Sequence, residues 1–312
     1  MSQLVYLFKE LAVLYLIALA GYIAKKYGVF SKEADKTLTQ LILYITLPAL
    51  ILFSLDFPFS TSLLKDFGIL IFLSVFSLGI ACIIAYVISR KSNLCEERKG
   101  VYQGLVIFGN QGFLGYAICQ VLFQAEGIMY AAVFNLFYLA LIWTYGIYII
   151  ANNTMSFSWK MIILNPGTIA TSVGLIMFFL PVGWPQTLSD FFETIGMPTT
   201  PLSMLLIGSI IADLDTGKMW EMCRDKHIWT VVFIKLLLIP LILIPFGLFN
   251  INFPVLSVAV LVAAMPSAPT ISLYARKYGG DVLYASMGVC ITTLLLPLTL
   301  PFLYWLLNQI LV

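Results

Sequence analysis

Residues 262–275 read VAAMPSAPTISLYA. Pro266 and Pro269 stand inside an otherwise apolar run. A proline in a helix interior removes a backbone donor and clashes with the preceding turn, at a cost of about 3 kcal/mol or more. The run is long and apolar enough to be a membrane helix, so an interruption at its middle needs a physical reason.

The 312-residue chain is 61% hydrophobic and 10% charged, with a mean hydropathy of +0.99. Soluble domains carry about 25% charged residues. The composition therefore marks an all-α integral membrane protein with the lipid bilayer as its solvent. The net charge of +2 suggests no nucleic-acid partner. The five cysteines form no CxxC, and a single histidine, His227, argues against a His-based metal site. Lys9 and Glu10 interrupt the first apolar run, which reads as a retained helix and not a signal peptide.

A spanning helix needs about 20 mostly apolar residues. Ten spans are expected: 4–24, 38–55, 67–89, 101–122, 128–151, 166–181, 191–212, 228–248, 254–275 and 284–308. Basic residues mark the cytoplasmic loops. Lys25, Lys26, Lys32, Lys36, Arg90, Lys91, Arg98, Lys99, Lys160, Lys218, Arg224, Lys226, Arg276 and Lys277 all follow odd-numbered spans. Both termini are then expected outside.

The halves 1–152 and 153–312 resemble each other at an offset of 153 to 154 residues. Gly21 pairs with Gly174, and Thr46-Leu47-Pro48 with Thr199-Thr200-Pro201. Five spans per half is an odd number, so the second copy is inverted. Inverted repeats carry substrate near the midplane, at broken helices in corresponding positions. Span nine breaks at Pro266-Ser267-Ala268-Pro269-Thr270, and span four offers FGNQGFLG at 108–115. At the 154 offset Gly112 meets Pro266 and Gly115 meets Pro269, placing both breaks in register. Unwound backbone at membrane depth is tolerated inside protein or beside a wet cavity, and half-helix N-termini there suit an anion. Asn110, Gln111, Gly112, Pro266, Ser267, Ala268, Pro269 and Thr270 form the expected substrate site. The alternative is that the glycines serve close packing and the prolines are mere kinks.

TLPALILFSL (46–55), FGNQGFLG (108–115), ILNPGTIATSVGL (163–175), MPTTPLSMLLIGSIIAD (197–213), AAMPSAPT (263–270) and YARKYGGDVLYASMGVCITTLLLPLTLP (274–301) carry a resemblance over essentially the whole chain. They resemble the auxin efflux carrier family, which includes plant auxin carriers and bacterial malate and malonate carriers. The resemblance implies ten helices in two inverted five-helix repeats, with helices four and nine broken and crossing at the substrate. It also implies one rigid unit of spans one, two, six and seven, a homodimer, and location in a bacterial inner membrane. Here Gly115 is followed by Tyr116-Ala117, where the family usually has a small residue and proline.

Outside the break, Lys235 lies about 10 Å into span eight, either as an anion contact or as a snorkelling side chain. Asn135 in span five is either a ligand or interhelical glue. Glu10 is either a pair for Lys9 or a coupling group. Asp56 resembles an acidic position of the auxin carriers and is either a protonation site or an interfacial cap. Pro48 and Pro201 read as paired kinks, and Asp190, Asp213 and Asp215 as solvated loop charges. Tyr278-Gly279-Gly280-Asp281 reads as a structural turn.

The expected function is secondary transport of a small organic anion by alternating access. No cofactor is expected, and the coupling ion is H+, Na+ or none. A receptor that kept a transporter fold is the competing reading. The spans lack the motifs of an intramembrane hydrolase, and no P-loop is present.

Overall fold

The computed structural model describes residues 3–56, 61–142, 144–151, 164, 166–180, 183–213 and 224–311. Lys160, Lys218, Asp215 and the Asn152-Asn153-Thr154 segment lie outside them, as does the side chain of Glu10. The described chain is helical. In order it forms α1 (Gln3–Lys26), α2 (Lys32–Leu41), a first π turn (Ile42–Thr46), α3 (Leu47–Ser54), α4 (Thr61–Lys91) and α5 (Glu96–Ile107). A second π turn (Gln111–Gly115) leads to α6 (Tyr116–Phe134), α7 (Leu136–Ile142) and α8 (Tyr145–Ile150). Next come α9 (Pro166–Phe179), α10 (Gln186–Gly196), α11 (Thr199–Ala212) and α12 (Lys226–Phe233). A third π turn (Ile234–Leu238), α13 (Ile239–Leu243) and a 3-10 turn (Ile244–Phe249) precede α14 (Phe253–Ala263), α15 (Pro269–Tyr278) and α16 (Val282–Leu311).

Six helical segments among the described residues are long and apolar enough to cross a membrane. Shorter apolar helices, such as α14, accompany them. Span four is divided at residues 108–110, its second half continuing through the π turn into α6. Gln124, at φ 55° and ψ −140°, interrupts α6 between the expected fourth and fifth spans. A Cβ on Gly127 would overlap the Cys119 carbonyl, so the chain turns back tightly there.

The first and third π turns have a shared local cause. Pro48 and Pro240 each follow a π turn by two residues, and in each the wider i→i−5 bond precedes the proline (Leu47 N to Ile42 O; Ile239 N to Ile234 O). Widening the turn accommodates the ring that would strike the carbonyl four residues back. Pro201 stands in a helical segment that is also interrupted. Its missing N–H would have met the Met197 carbonyl four residues back, and the helical interruption falls at Met197-Pro198.

The chain folds as two compact units. The first comprises residues 1–71, 112–136 and 160–213, which takes in spans one, two, six and seven, the start of span three and the segment from the span-four break into span five. Small residues let its helices approach, as in membrane packing generally. A Cβ on Gly21 would overlap the Leu205 carbonyl, and one on Gly208 would overlap that of Ala18, so α1 and α11 meet backbone to backbone. Gly174 on α9 and Gly196 on α10 receive Leu55 and Leu50 in the same way. At the α1 C-terminus Lys25 pairs with Asp35 and, at 3.3 Å, with Asp213. Asp213 is thus an exposed charge, as expected, that also pairs with Lys25. Asp190 lies within α10 and accepts a 2.8 Å bond from Gln186.

The second unit comprises residues 72–111, 137–159 and 214–312. Here a Cβ on Gly288 of α16 would lie 2.5 Å from Leu105 of α5, and one on Gly100 would overlap the Ile149 carbonyl of α8. Gly279 takes the left-handed φ of +84° that ends α15, as the turn reading expected.

Gly208→Val is expected to destabilise the first unit by about 1–3 kcal/mol or more, because a backbone carbonyl cannot move aside as a side chain would. Thermal unfolding of the purified protein measures it; an unchanged melting temperature would show that α1 and α11 do not approach at Gly208.

Candidate functional site

The break in α5 and the break before α15 meet inside the second unit. α5 ends at Ile107, and Phe108 is extended at φ −98°, ψ 111°. α14 ends at Ala263, Ala268 is extended at φ −71°, ψ 133°, and Pro269 opens α15 at a position needing no N–H. The two extended pieces run antiparallel, with Gly109 opposite Ser267. Asn110 N donates to the Pro266 carbonyl at 2.6 Å, and Ala268 N donates to the Phe108 carbonyl at 2.9 Å. Proline is tolerated at 266 because its carbonyl, and not its nitrogen, makes the bond.

Side chains complete the accounting. Ser267 Oγ donates to the Leu105 carbonyl at 2.7 Å, and Ser267 N donates to Thr292 Oγ1 at 3.1 Å. The Tyr138 hydroxyl donates to the Gly109 carbonyl at 2.6 Å, its ring edge-on to Phe108. Two polar atoms are left over: Asn110 Nδ2 and Gln111 Oε1 are buried without a hydrogen-bond partner.

Lys235 lies in the third π turn, and its side chain is turned inward. The residue is 1% exposed, and its Nζ lies 3.5 Å from the Ile107 carbonyl. A Cβ on Gly109 would stand 2.9 Å from that Nζ and 3.0 Å from the Met265 carbonyl. Glycine at 109 is therefore what lets the lysine head reach the bridge. Snorkelling, one of the two sequence readings, is not what the side chain does. No carboxylate pairs with Lys235 among the described residues.

The structure brings Asn110, Gln111, Pro266, Ser267, Ala268, Pro269 and Lys235 into one unit, with Thr270 in the first turn of α15. The register differs from the sequence alignment. The extended break is Phe108–Asn110, while Gly112 and Gly115 lie in the π turn that follows it. The chain enters the first unit at Gly112, beside which the Leu47 side chain packs, 3.9 Å from where a Cβ would stand.

Asn135, Asp56, Pro48, Pro201 and the backbone of Glu10 all belong to the first unit. Asn135 ends α6, and neither atom of its buried amide has a hydrogen-bond partner. The Tyr116 hydroxyl faces it, yet the pair does not close at hydrogen-bond geometry. Asp56 ties down the start of α10, accepting from Trp184 N at 3.2 Å and from Ser189 Oγ at 2.8 Å.

Sequence reasoning passed over Tyr138, Thr292 and Asp66. Asp66 is buried within α4 and accepts from the Tyr130 hydroxyl at 3.1 Å. The helix begins at Thr61, six residues before the expected start of span three, so hydropathy placed Asp66 in a loop. Thr292-Thr293 in an apolar span was the signal available for the Ser267 partner.

The family profile described as membrane transport protein matches residues 6–161 and 152–304. An uncharacterized transporter of Methanothermobacter thermautotrophicus is 27% identical over 299 residues, covering 93% of this chain and 95% of that one. Another uncharacterized transporter, from Methanocaldococcus jannaschii, is 29% identical over 120 residues. That match spans 37% of this chain and 38% of the relative. Both relatives are archaeal. The chain is a multi-pass integral membrane transporter, not an enzyme, and belongs to the membrane transport protein family, that of the auxin efflux carriers.

Proposed function

We propose that the protein is a secondary transporter of a small organic anion, working by alternating access with substrate bound at the crossing of the broken helices. The observation that carries this reading is the buried Lys235 head against Gly109, with one carbonyl at 3.5 Å and no carboxylate partner among the described residues. Burying an ammonium without a counter-charge is expensive, and such residues in a membrane mark ligand or ion pathways. A substrate carboxylate supplies the missing charge. Asn110 Nδ2 donates to it, Gln111 Oε1 accepts from a substrate hydroxyl or ring N–H, and the α15 N-terminus adds a favourable dipole. Malonate, malate and indole acids all satisfy this chemistry.

The full arrangement we infer is ten spans in two inverted five-helix repeats, 1–152 and 153–312, with both termini outside a cell membrane. A homodimer fits the family. Transport would need no cofactor and would run on an H+ or Na+ gradient or passively, with Asp56 and Glu10 as candidate coupling groups.

Thermal-shift measurements with these carboxylates, at several pH values with and without sodium, test the substrate class. Lys235→Met is expected to raise the melting temperature of the empty protein, by an equivalent of about 1–3 kcal/mol, because an unpaired buried polar head is removed. The same variant is expected to lose the carboxylate-induced shift. A variant that keeps the full shift would show that the anion binds elsewhere. In liposomes Asn110→Ala is expected to slow carboxylate flux about tenfold or more, the equivalent of one charged hydrogen bond. Wild-type flux from correctly inserted protein would remove Asn110 from the site.

A further inference from the structure

α5 and α15 run side by side in opposite directions, and they are fastened at both ends. At one end lies the backbone bridge of Phe108–Asn110 with Pro266–Ala268. Midway, a Cβ on Gly104 would meet Ile271 at 3.1 Å. Toward the other end a Cβ on Gly280 would meet Val101 at 2.8 Å. There the turn after α15 is held to α5 by two polar contacts. Asp281 N donates to the Glu97 carbonyl at 3.2 Å, and Arg98 Nε donates to Asp281 Oδ2 at 2.7 Å.

Arg98 does more than join two helices. Its Nη1 lies 3.8 Å from Asp225 Oδ2, and its guanidinium stacks over the Tyr284 ring at 5.2 Å. Both aspartates also work on the backbone: Asp225 Oδ1 accepts from His227 N at the start of α12, and Asp281 Oδ1 accepts from Tyr284 N at the start of α16. One arginine thus gathers the N-terminal ends of α5, α12 and α16. Those helices lead to Asn110, Lys235 and Thr292, respectively. Helix α5 is 12 residues, about 18 Å long, so its two ends lie close enough for a tie at one to set the place of the other.

We infer that Arg98 is a positioning residue for the crossing. By fixing the far end of α5 against the α15–α16 turn and the start of α12, it sets the register in which residues 108–110 meet residues 266–268. The inference is independent of which substrate is carried, since it concerns the empty protein. Arginine suits the task because its planar fork serves two carboxylates and an aromatic face at once.

Hydrogen–deuterium exchange on the full chain in lipid nanodiscs tests this without a substrate. Arg98→Ala is expected to speed exchange of the Asn110 and Ala268 amides about tenfold or more, with amides of α1 and α11 unchanged. Arg98→Lys keeps the cation but not the fork and is expected to recover only part of the protection. Faster exchange confined to residues 96–101 and 279–284, with Asn110 and Ala268 still slow, would reduce Arg98 to a local end tie and overturn the inference. If Arg98→Ala does not insert, Asp281→Asn gives the same reading, and slow exchange at both bridge amides again overturns it.

Discussion

A helix that ends inside a bilayer leaves backbone N–H and C=O groups with no water to satisfy them, and each such group left bare costs about 1–3 kcal/mol or more. This protein ends two helices within its second unit and resolves both by turning each break toward the other. The antiparallel exchange of Asn110 N to Pro266 O and Ala268 N to Phe108 O is the interaction on which the site rests. Once it is made, the neighbouring demands follow. Gly109 must lack a side chain, Ser267 must reach Leu105 and Thr292, and Tyr138 must serve the Gly109 carbonyl. The prolines are compatible with this because one contributes its carbonyl and the other starts a helix.

The bridge settles the backbone and leaves side chains in excess. Asn110 Nδ2, Gln111 Oε1 and the Lys235 head are buried beyond what the fold uses. Groups held at such expense are characteristic of sites that await a partner, since apolar residues of similar size would give a more stable protein. The π turn beneath Lys235 belongs to the same logic. It exists because Pro240 follows it, and it carries the lysine on a locally widened helix, the kind of element that recurs at functional positions.

Much of this was legible in the sequence. Pro266 and Pro269 against FGNQGFLG located both breaks, because proline and glycine act on backbone geometry directly and need no tertiary context. The register was not legible. The alignment offset made Gly112 the counterpart of Pro266, whereas the extended break falls at Phe108–Asn110 and Gly112 lies in the π turn that follows, because glycine permits unwinding without fixing where it occurs. The direction of the Lys235 side chain was equally hidden: snorkelling and burial differ only in a rotamer choice that depends on Gly109 being bare. Asp213 is exposed, as expected, but its pairing with Lys25 was hidden because the two are distant in sequence.

The central claim is that the Lys235 head meets the carboxylate of the substrate. Solid-state NMR of the protein carrying 15N-lysine, in lipid and saturated with a 13C-carboxylate ligand such as malonate, tests it most directly. The account predicts a dipolar coupling corresponding to an N–C separation of about 3–4 Å, that of a charged hydrogen bond, and its disappearance in Lys235→Met. A ligand shown to be bound whose carboxyl carbon has no coupling to Lys235 Nζ would contradict it.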